Sequence, residues 1–303
     1  MTGSVLAALA AMLLFTAVAP WLGNRLPPAV AAWGLTIASL VVAGCTGFVL
    51  AVLALTWLGQ TPMIASAAEW SASELDATSP IPEFVAAGCL TLLCLAGLRV
   101  LVRMIRRGRT LMGVRQAHRG VPATVIVVDS DRPDAFATPS PGGRIVLTSA
   151  LMAALTPVER RVVIAHERAH LRHQHAWWLL LADLAEAANP LLRPTLGVIR
   201  HAVERWADED AAGEIGDRQL VARTIARVAL LRHEVENRTV VSAATGGQVP
   251  RRVRALLSPR PSGRPWLAAA LVVLLTCSVV TTLAVERTGD ALFDRVATAP
   301  DRR

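Results

Sequence analysis

The chain has 303 residues, 53% of them hydrophobic, with a mean hydropathy of +0.45. That is too apolar for an ordinary soluble domain and points to membrane spans. A net charge of +8 would in another protein suggest nucleic acid, but here the basic residues, all arginine, stand beside apolar runs, so headgroup contact and control of topology explain them and no nucleic-acid partner is expected.

A spanning helix needs about 20 apolar residues. Four segments qualify, at about 4–22, 29–58, 84–105 and 266–285. The first has no basic stretch before its apolar run, so it reads as a retained helix rather than a signal peptide. The loop 59–83 carries Glu69, Glu74, Asp76 and Glu83 and no basic residue. Arg99 and Arg103 stand at the end of the third apolar run with Arg106, Arg107 and Arg109 just after it, and Arg251, Arg252, Arg254, Arg260 and Arg264 precede the fourth. By the positive-inside rule, 106–265 is expected on the cytoplasmic side, with the N-terminus, the 59–83 loop and the tail outside. Cys45, Cys89, Cys94 and Cys277 lie in apolar segments and form neither a zinc nor a disulfide pattern.

The expected organisation is a three-span membrane region over 1–109, an α+β domain over 110–260, and a fourth span with a short tail over 261–303. Within the inner domain, "ATVIVVDS" (123–130) suits a buried strand, "DRPDAFATPSPGG" is turn-rich, and "RIVLTS" (144–149) is a second strand. The second strand is either an internal strand or one that pairs with an extended substrate. Thr156, Pro157 and Glu159 predict a helix start with a capping box. Further helices are predicted over 174–188, 195–214 and 217–236. The apolar stretch 176–192 contains Asp183 and Glu186, which are costly at bilayer depth, so it reads as a buried or membrane-surface helix.

The helix after Pro157 carries His166-Glu167-Arg168-Ala169-His170, an HExxH. Residues four apart share a helix face, so the two imidazoles can hold one ion, and Glu167 points beside it, where a general base for an activated water must stand. A catalytic zinc needs a third protein ligand. "HAVERWADEDAA" (201–212) offers Glu204, with Asp208 one turn on and able to accept a hydrogen bond from a ligand histidine. His173 and His175 either stand behind the ligands or are simply solvated, and the solvated reading is preferred. The chain has no tyrosine to stabilise an oxyanion, which leaves His201 and Arg205 as candidate donors.

"DAFATPSPGGRIVLTSALMAALTPVERRVVIAHERAHLRHQH" resembles the core of the HtpX-type membrane zinc metallopeptidases, and "ERWAD" resembles their E-x-x-A-D segment. Spans on both sides of the domain are similar to the layout of the BlaR/MecR-type receptor proteases. The resemblance implies a zincin-like fold, one Zn2+ held by His166, His170 and Glu204, Glu167 as catalytic base and Asp208 behind the ligands. It also implies cleavage of membrane-proximal or cytoplasmic proteins at a bacterial cell membrane. About 18 residues follow the fourth span, so a penicillin-sensing domain, and with it a β-lactam receptor role, is not expected. The expected function is a zinc metalloendopeptidase in quality control or regulatory proteolysis. The alternative is a catalytically silent, metal-responsive membrane sensor; a transporter is disfavoured because the spans lack ionisable residues before their arginine-rich ends.

Overall fold

The structure is a computed structural model and describes residues 2–59, 82–117, 124–138, 143–237, 248–259, 263 and 265–297. Glu69, Glu74 and Asp76 of the acidic loop, together with Arg260 and Arg264, lie outside the described residues.

Helix α1 (Thr2–Gly23) turns at Asn24 into α2 (Pro28–Gly59), and α3 follows over Glu83–Ala117. The turn is held locally: Asn24 Nδ2 donates to the Pro20 carbonyl at 2.9 Å, and the Arg25 guanidinium lies 4.1 Å above the Trp21 ring. With the last helix, these elements supply the four helices that, among the described residues, are long and apolar enough to cross a membrane: Thr2–Gly23, Pro28–Leu55, Glu83–Thr110 and Pro265–Gly289.

Three short strands follow: β1 (Val125–Val128), β2 (Ala135–Thr138) and β3 (Arg144–Thr148). Their order is β1-β3-β2, with β3 parallel to β1 and antiparallel to β2. Strand β3 is therefore internal, with a neighbour on each edge, which decides between the two alternatives against pairing with substrate. Strand β2, "AFAT", was expected as turn. Four residues among turn formers show no periodicity, and only the long-range pairing Ala135↔Leu147 to Thr138↔Arg144 makes them a strand.

Thr148 caps α4 (Ser149–Ala154) by accepting from the Leu151 amide. Helix α5 (Pro157–Arg172) starts with the predicted capping box: Thr156 accepts from the Glu159 amide, and Glu159 accepts from the Thr156 amide at 2.8 Å. It ends at His173, and Gln174 then adopts φ 52°, the left-handed conformation that turns the chain sharply into α6 (His175–Ala188). A 3-10 turn, Pro190–Leu192, leads to α7 (Arg193–Ile215), which Gly216 ends at φ +78°. Helices α8 (Arg218–Asn237), α9 (Val249–Leu257) and α10 (Pro265–Ala297) complete the chain, and α9 has no counterpart in the sequence reading.

The largest apolar cluster joins the membrane helices to the inner ones. Phe15 and Leu22 of α1, Leu35 and Val42 of α2, and Leu267 of α10 pack in one core with residues of α6 and α7, including Ala185 and Ile199. A smaller core joins α5, α7, α8 and α9 around Val162, Ala211, Val221 and Leu256. A third sets the sheet on α4 and α5 through Ile145, Leu151 and Val163. Helices α5 and α7, which carry the candidate ligands, thus bridge the sheet and the membrane helices.

Asp183 and Glu186 of α6 are buried and paired. Asp183 meets Arg107, Arg103 at 3.6 Å and Arg200 at 2.7 Å; Glu186 meets Arg103 at 3.1 Å and Arg99 at 3.5 Å. Arg99, Arg103 and Arg107 are four residues apart along α3 and so project from one face toward α6. Asp183→Ala removes the buried acceptor shared by Arg103, Arg107 and Arg200, which are themselves partly exposed, and should destabilise the protein by about 1–3 kcal/mol, the usual cost of losing hydrogen bonds to a charged group. Thermal unfolding in detergent reads this loss. An unchanged midpoint would mean that the cluster does not clamp α3 to α6.

Candidate metal centre

The capping box fixes where α5 begins, and helical spacing then places His166 and His170 on its inner face, with Val162 and Ala165 in the core beneath. Helix α7 lies across α5 and brings Glu204 to the same point. His166 Nε2 is 3.2 Å from His170 Nε2, and Glu204 Oε2 and Oε1 lie 3.6 Å and 3.8 Å from those two nitrogens. Ligands about 2.0–2.1 Å from a tetrahedral zinc stand about 3.3–3.5 Å from one another. The three donors are therefore spaced to close on one ion, and the set of two imidazoles and a carboxylate suits zinc. They form the one such group among the described residues.

Behind them, His166 Nδ1 lies 3.1 Å from Asp208 Oδ1, although the two are not aligned as a full hydrogen bond. Arg252 of α9 spans both carboxylates of α7: its Nη1 is 2.8 Å from Glu204, and its Nε and Nη2 donate to Asp208 at 2.8 Å and 2.6 Å. The sequence reading took Arg252 as one of the topology-setting arginines. No local spacing connects residues 44 apart; the pairing exists only once α9 packs on α7.

His170 has its own support. Its Nδ1 is 2.9 Å from Nδ1 of His175, which is fully buried at the first residue of α6 and stands against the Trp206 ring at 4.9 Å. The reading of His175 as a solvated neighbour is corrected: the left-handed Gln174 folds it back beneath the ligand. His173 faces away, bonded to Asp210 at 2.7 Å and stacked on Trp206.

The electrostatics follow from this crowding. Burial pulls His166 down, but the carboxylates of Asp208 and Glu204 outweigh it and raise its pKa to about 10. Burial and the His166 charge lower His170 to about 4. Burial opposes ionisation of Glu204 and Asp208, yet His166 and Arg252 hold both below the usual carboxylate range. The site thus draws positive charge to the point where the three donors meet. Burial raises the Glu167 carboxyl, and the charge of His166 opposes that shift.

A cleft of about 700 Å3 opens on this group, lined by Phe136, Glu167, Trp177, Glu204, Arg232 and Arg252 among others. Neither His201 nor Arg205 lines it. His201 Nδ1 is buried without a hydrogen-bond partner, and Arg205 is half-buried among the charges of Glu209, Asp208 and Arg218. The guanidiniums that face the cleft are Arg232, which pairs with Asp134 at 2.6 Å, and Arg252.

A helix-borne HExxH with a third acidic ligand on a neighbouring helix, beside a cleft, defines a metallopeptidase-type site. Within that class, the model of Peptidase family M48 matches residues 102–187 of the chain. That match ends before Glu204, so the third donor rests on the geometry above. A 62-residue stretch is 44% identical to a Protease HtpX homolog of Thermoplasma acidophilum, covering 20% of this chain and 20% of that protein. No solved structure matches the chain.

Proposed function

We propose that the chain is a zinc-dependent endopeptidase that hydrolyses peptide bonds of membrane-proximal or cytoplasmic proteins. The observation that carries this reading is the convergence of His166, His170 and Glu204 on one point with Glu167 next to them in the cleft. One zinc per chain would supply the Lewis acid that polarises the scissile carbonyl and acidifies a water. Glu167 takes the proton from that water at its carboxylate and passes it to the leaving amine. Asp208 and His175 hold the two ligand rings from behind, and Arg252 keeps the Glu204 and Asp208 carboxylates ionised and aligned. Arg232, whose charge already acts on Glu167, takes the role of oxyanion donor first sought at His201 and Arg205. The substrate lies extended beside β2, whose Ala135, Phe136 and Ala137 line the cleft.

The test is metal analysis of detergent-purified protein together with casein cleavage. Purified protein should contain one zinc per chain, lose cleavage on treatment with a chelator and recover it when zinc is restored. Cleavage that survives complete metal removal would overturn the reading, and bound zinc without turnover would favour the silent sensor.

The proposed organisation sets residues 110–260 on the cytoplasmic face, between a membrane region over 1–109 and a fourth span with its tail over 261–303. It is supported by the arginines at both ends of that stretch and by the acidic, arginine-free loop 59–83. A reporter active only in the cytoplasm should work when fused after residue 120 or 255 and fail after residue 70 or 303. Activity of an export-dependent reporter at residue 120 would put the site on the other face.

A further inference from the structure

The turn between α6 and α7 lies deep among the membrane helices. Helix α1 has 22 residues, about 33 Å at 1.5 Å per residue, which leaves little slack across a hydrocarbon core of about 30 Å. Its middle residue, Met12, must then stand near the bilayer centre. Thr46 of α2 is level with it, with Oγ1 at 3.3 Å from Met12 Sδ, and Asn189 Nδ2 donates to the same Thr46 hydroxyl at 3.2 Å. At the other end of α1, a Cβ built on Gly23 would lie 2.4 Å from Leu35 Cδ1 and 2.7 Å from Val198 Cγ1. The end of α1, Leu35 of α2 and Val198 of α7 therefore share one level. From Val198 to Asn189 the chain climbs nine residues, about 13 Å, which is nearly half the core thickness.

We propose that residues 175–198 form a re-entrant hairpin that dips to the bilayer centre and returns, and so holds the metal site at the membrane surface.

The chemistry of the hairpin suits lipid. Its two acids meet four guanidiniums, those of Arg99, Arg103 and Arg107 of α3 and of Arg200, so neither acid is an unpaired charge. The amides of its turn are bonded: that of Asn189 to the Ala185 carbonyl at 2.9 Å, that of Leu191 to Asn189 Oδ1 at 3.2 Å, and that of Leu192 to the Asn189 carbonyl at 3.0 Å. Lipid demands such satisfaction, because it offers the backbone no partner. Leu191, 56% exposed, faces outward at the tip. Arg193 is exposed too, but it lies only five residues from Val198, about 7–8 Å, a reach that an arginine side chain covers by snorkelling.

Two further positions follow from the same scale. Glu204 lies six residues beyond Val198, about 9 Å outside the core. Trp177 lies twelve residues before Asn189, about 18 Å below the tip, at the headgroup level where tryptophans concentrate, and it lines the cleft. On the peptidase reading, on which this last step rests, the substrate is a chain just leaving a neighbouring span, cut within a few residues of the membrane.

Depth is measured without reference to activity. In a background with Cys45, Cys89, Cys94 and Cys277 replaced by Ala, a fluorophore is placed at Leu191→Cys or Gly197→Cys in phosphatidylcholine–phosphatidylglycerol nanodiscs. Nitroxide at mid-chain should quench position 191 more than nitroxide near the headgroup, with the order reversed at 197, and aqueous iodide should leave 191 unquenched. Unsubstituted protein in nanodiscs with mid-chain diazirine lipid should also crosslink in the peptide spanning 190–192. Iodide quenching at 191, or crosslinks confined to α1, α2, α3 and α10, would overturn the proposal, whatever the outcome of the casein assay.

Discussion

Glu167→Gln should abolish peptide hydrolysis while the protein keeps its zinc. Gln has the shape of Glu, so the side chain should stay in place and α5 should not be disturbed. What it loses is the ability to accept a proton from water and return it to the leaving amine. Positioned general acid–base groups contribute about 10²–10⁴-fold, so casein cleavage should fall by at least that range. Zinc content and thermal midpoint should match those of the wild type, because Glu167 is not among the three converging donors. Cleavage within a few-fold of wild type in protein free of contaminating protease would remove Glu167 from the catalytic role.

How much of this could be read beforehand depends on how far apart the interacting residues lie. The four spans were legible because an apolar run of about 20 residues states its own conformation. The start of α5 was legible to the residue because Thr156, Pro157 and Glu159 act within one turn. His166, His170, Glu204 and Asp208 could be paired off as neighbours four apart on two helices, and the structure brings the two helices together. What was hidden depends on distant partners. Strand β2 exists because β3 pairs with it, α9 is short and packs on α7 and α8, and Arg252 reaches Glu204 only through that packing. His175 was misjudged for a different reason: one left-handed residue, Gln174, reverses the chain, and its sequence gives no glycine or asparagine to announce the turn. The acids of α6 were recognised as costly, but their partners on α3 lie more than 75 residues away.

The third donor allows the sharpest comparison, because α7 carries other carboxylates whose surroundings are known. Glu204→Ala should strip the protein of zinc, since two imidazoles alone leave the ion one protein ligand short of a catalytic set. Glu214→Ala is the control. Glu214 lies on the same helix but pairs with Arg168 and with Arg172 at 3.5 Å, away from the donor group. Glu209 is a poorer control, because it holds Arg218, which also donates to the carbonyls of Ala255 and Leu256 in α9. Losing Glu209 would thus loosen the helix that presents Arg252. Between the extremes stand Asp208→Ala and Arg252→Met. Each removes a group that orients the ligands without touching the ion, and losses of this kind typically weaken metal affinity or activity about 10–100-fold. Arg252→Lys should recover only part of that, because one ammonium cannot fork across the Glu204 and Asp208 carboxylates as a guanidinium does. Competition against a chromophoric chelator ranks the series directly. The expected order of zinc affinity is wild type and Glu214→Ala together, then Asp208→Ala and Arg252→Met, then Glu204→Ala. If Glu204→Ala bound zinc as tightly as Glu214→Ala, the ion would not be held by α7, and the convergence of the two helices would have to serve another purpose.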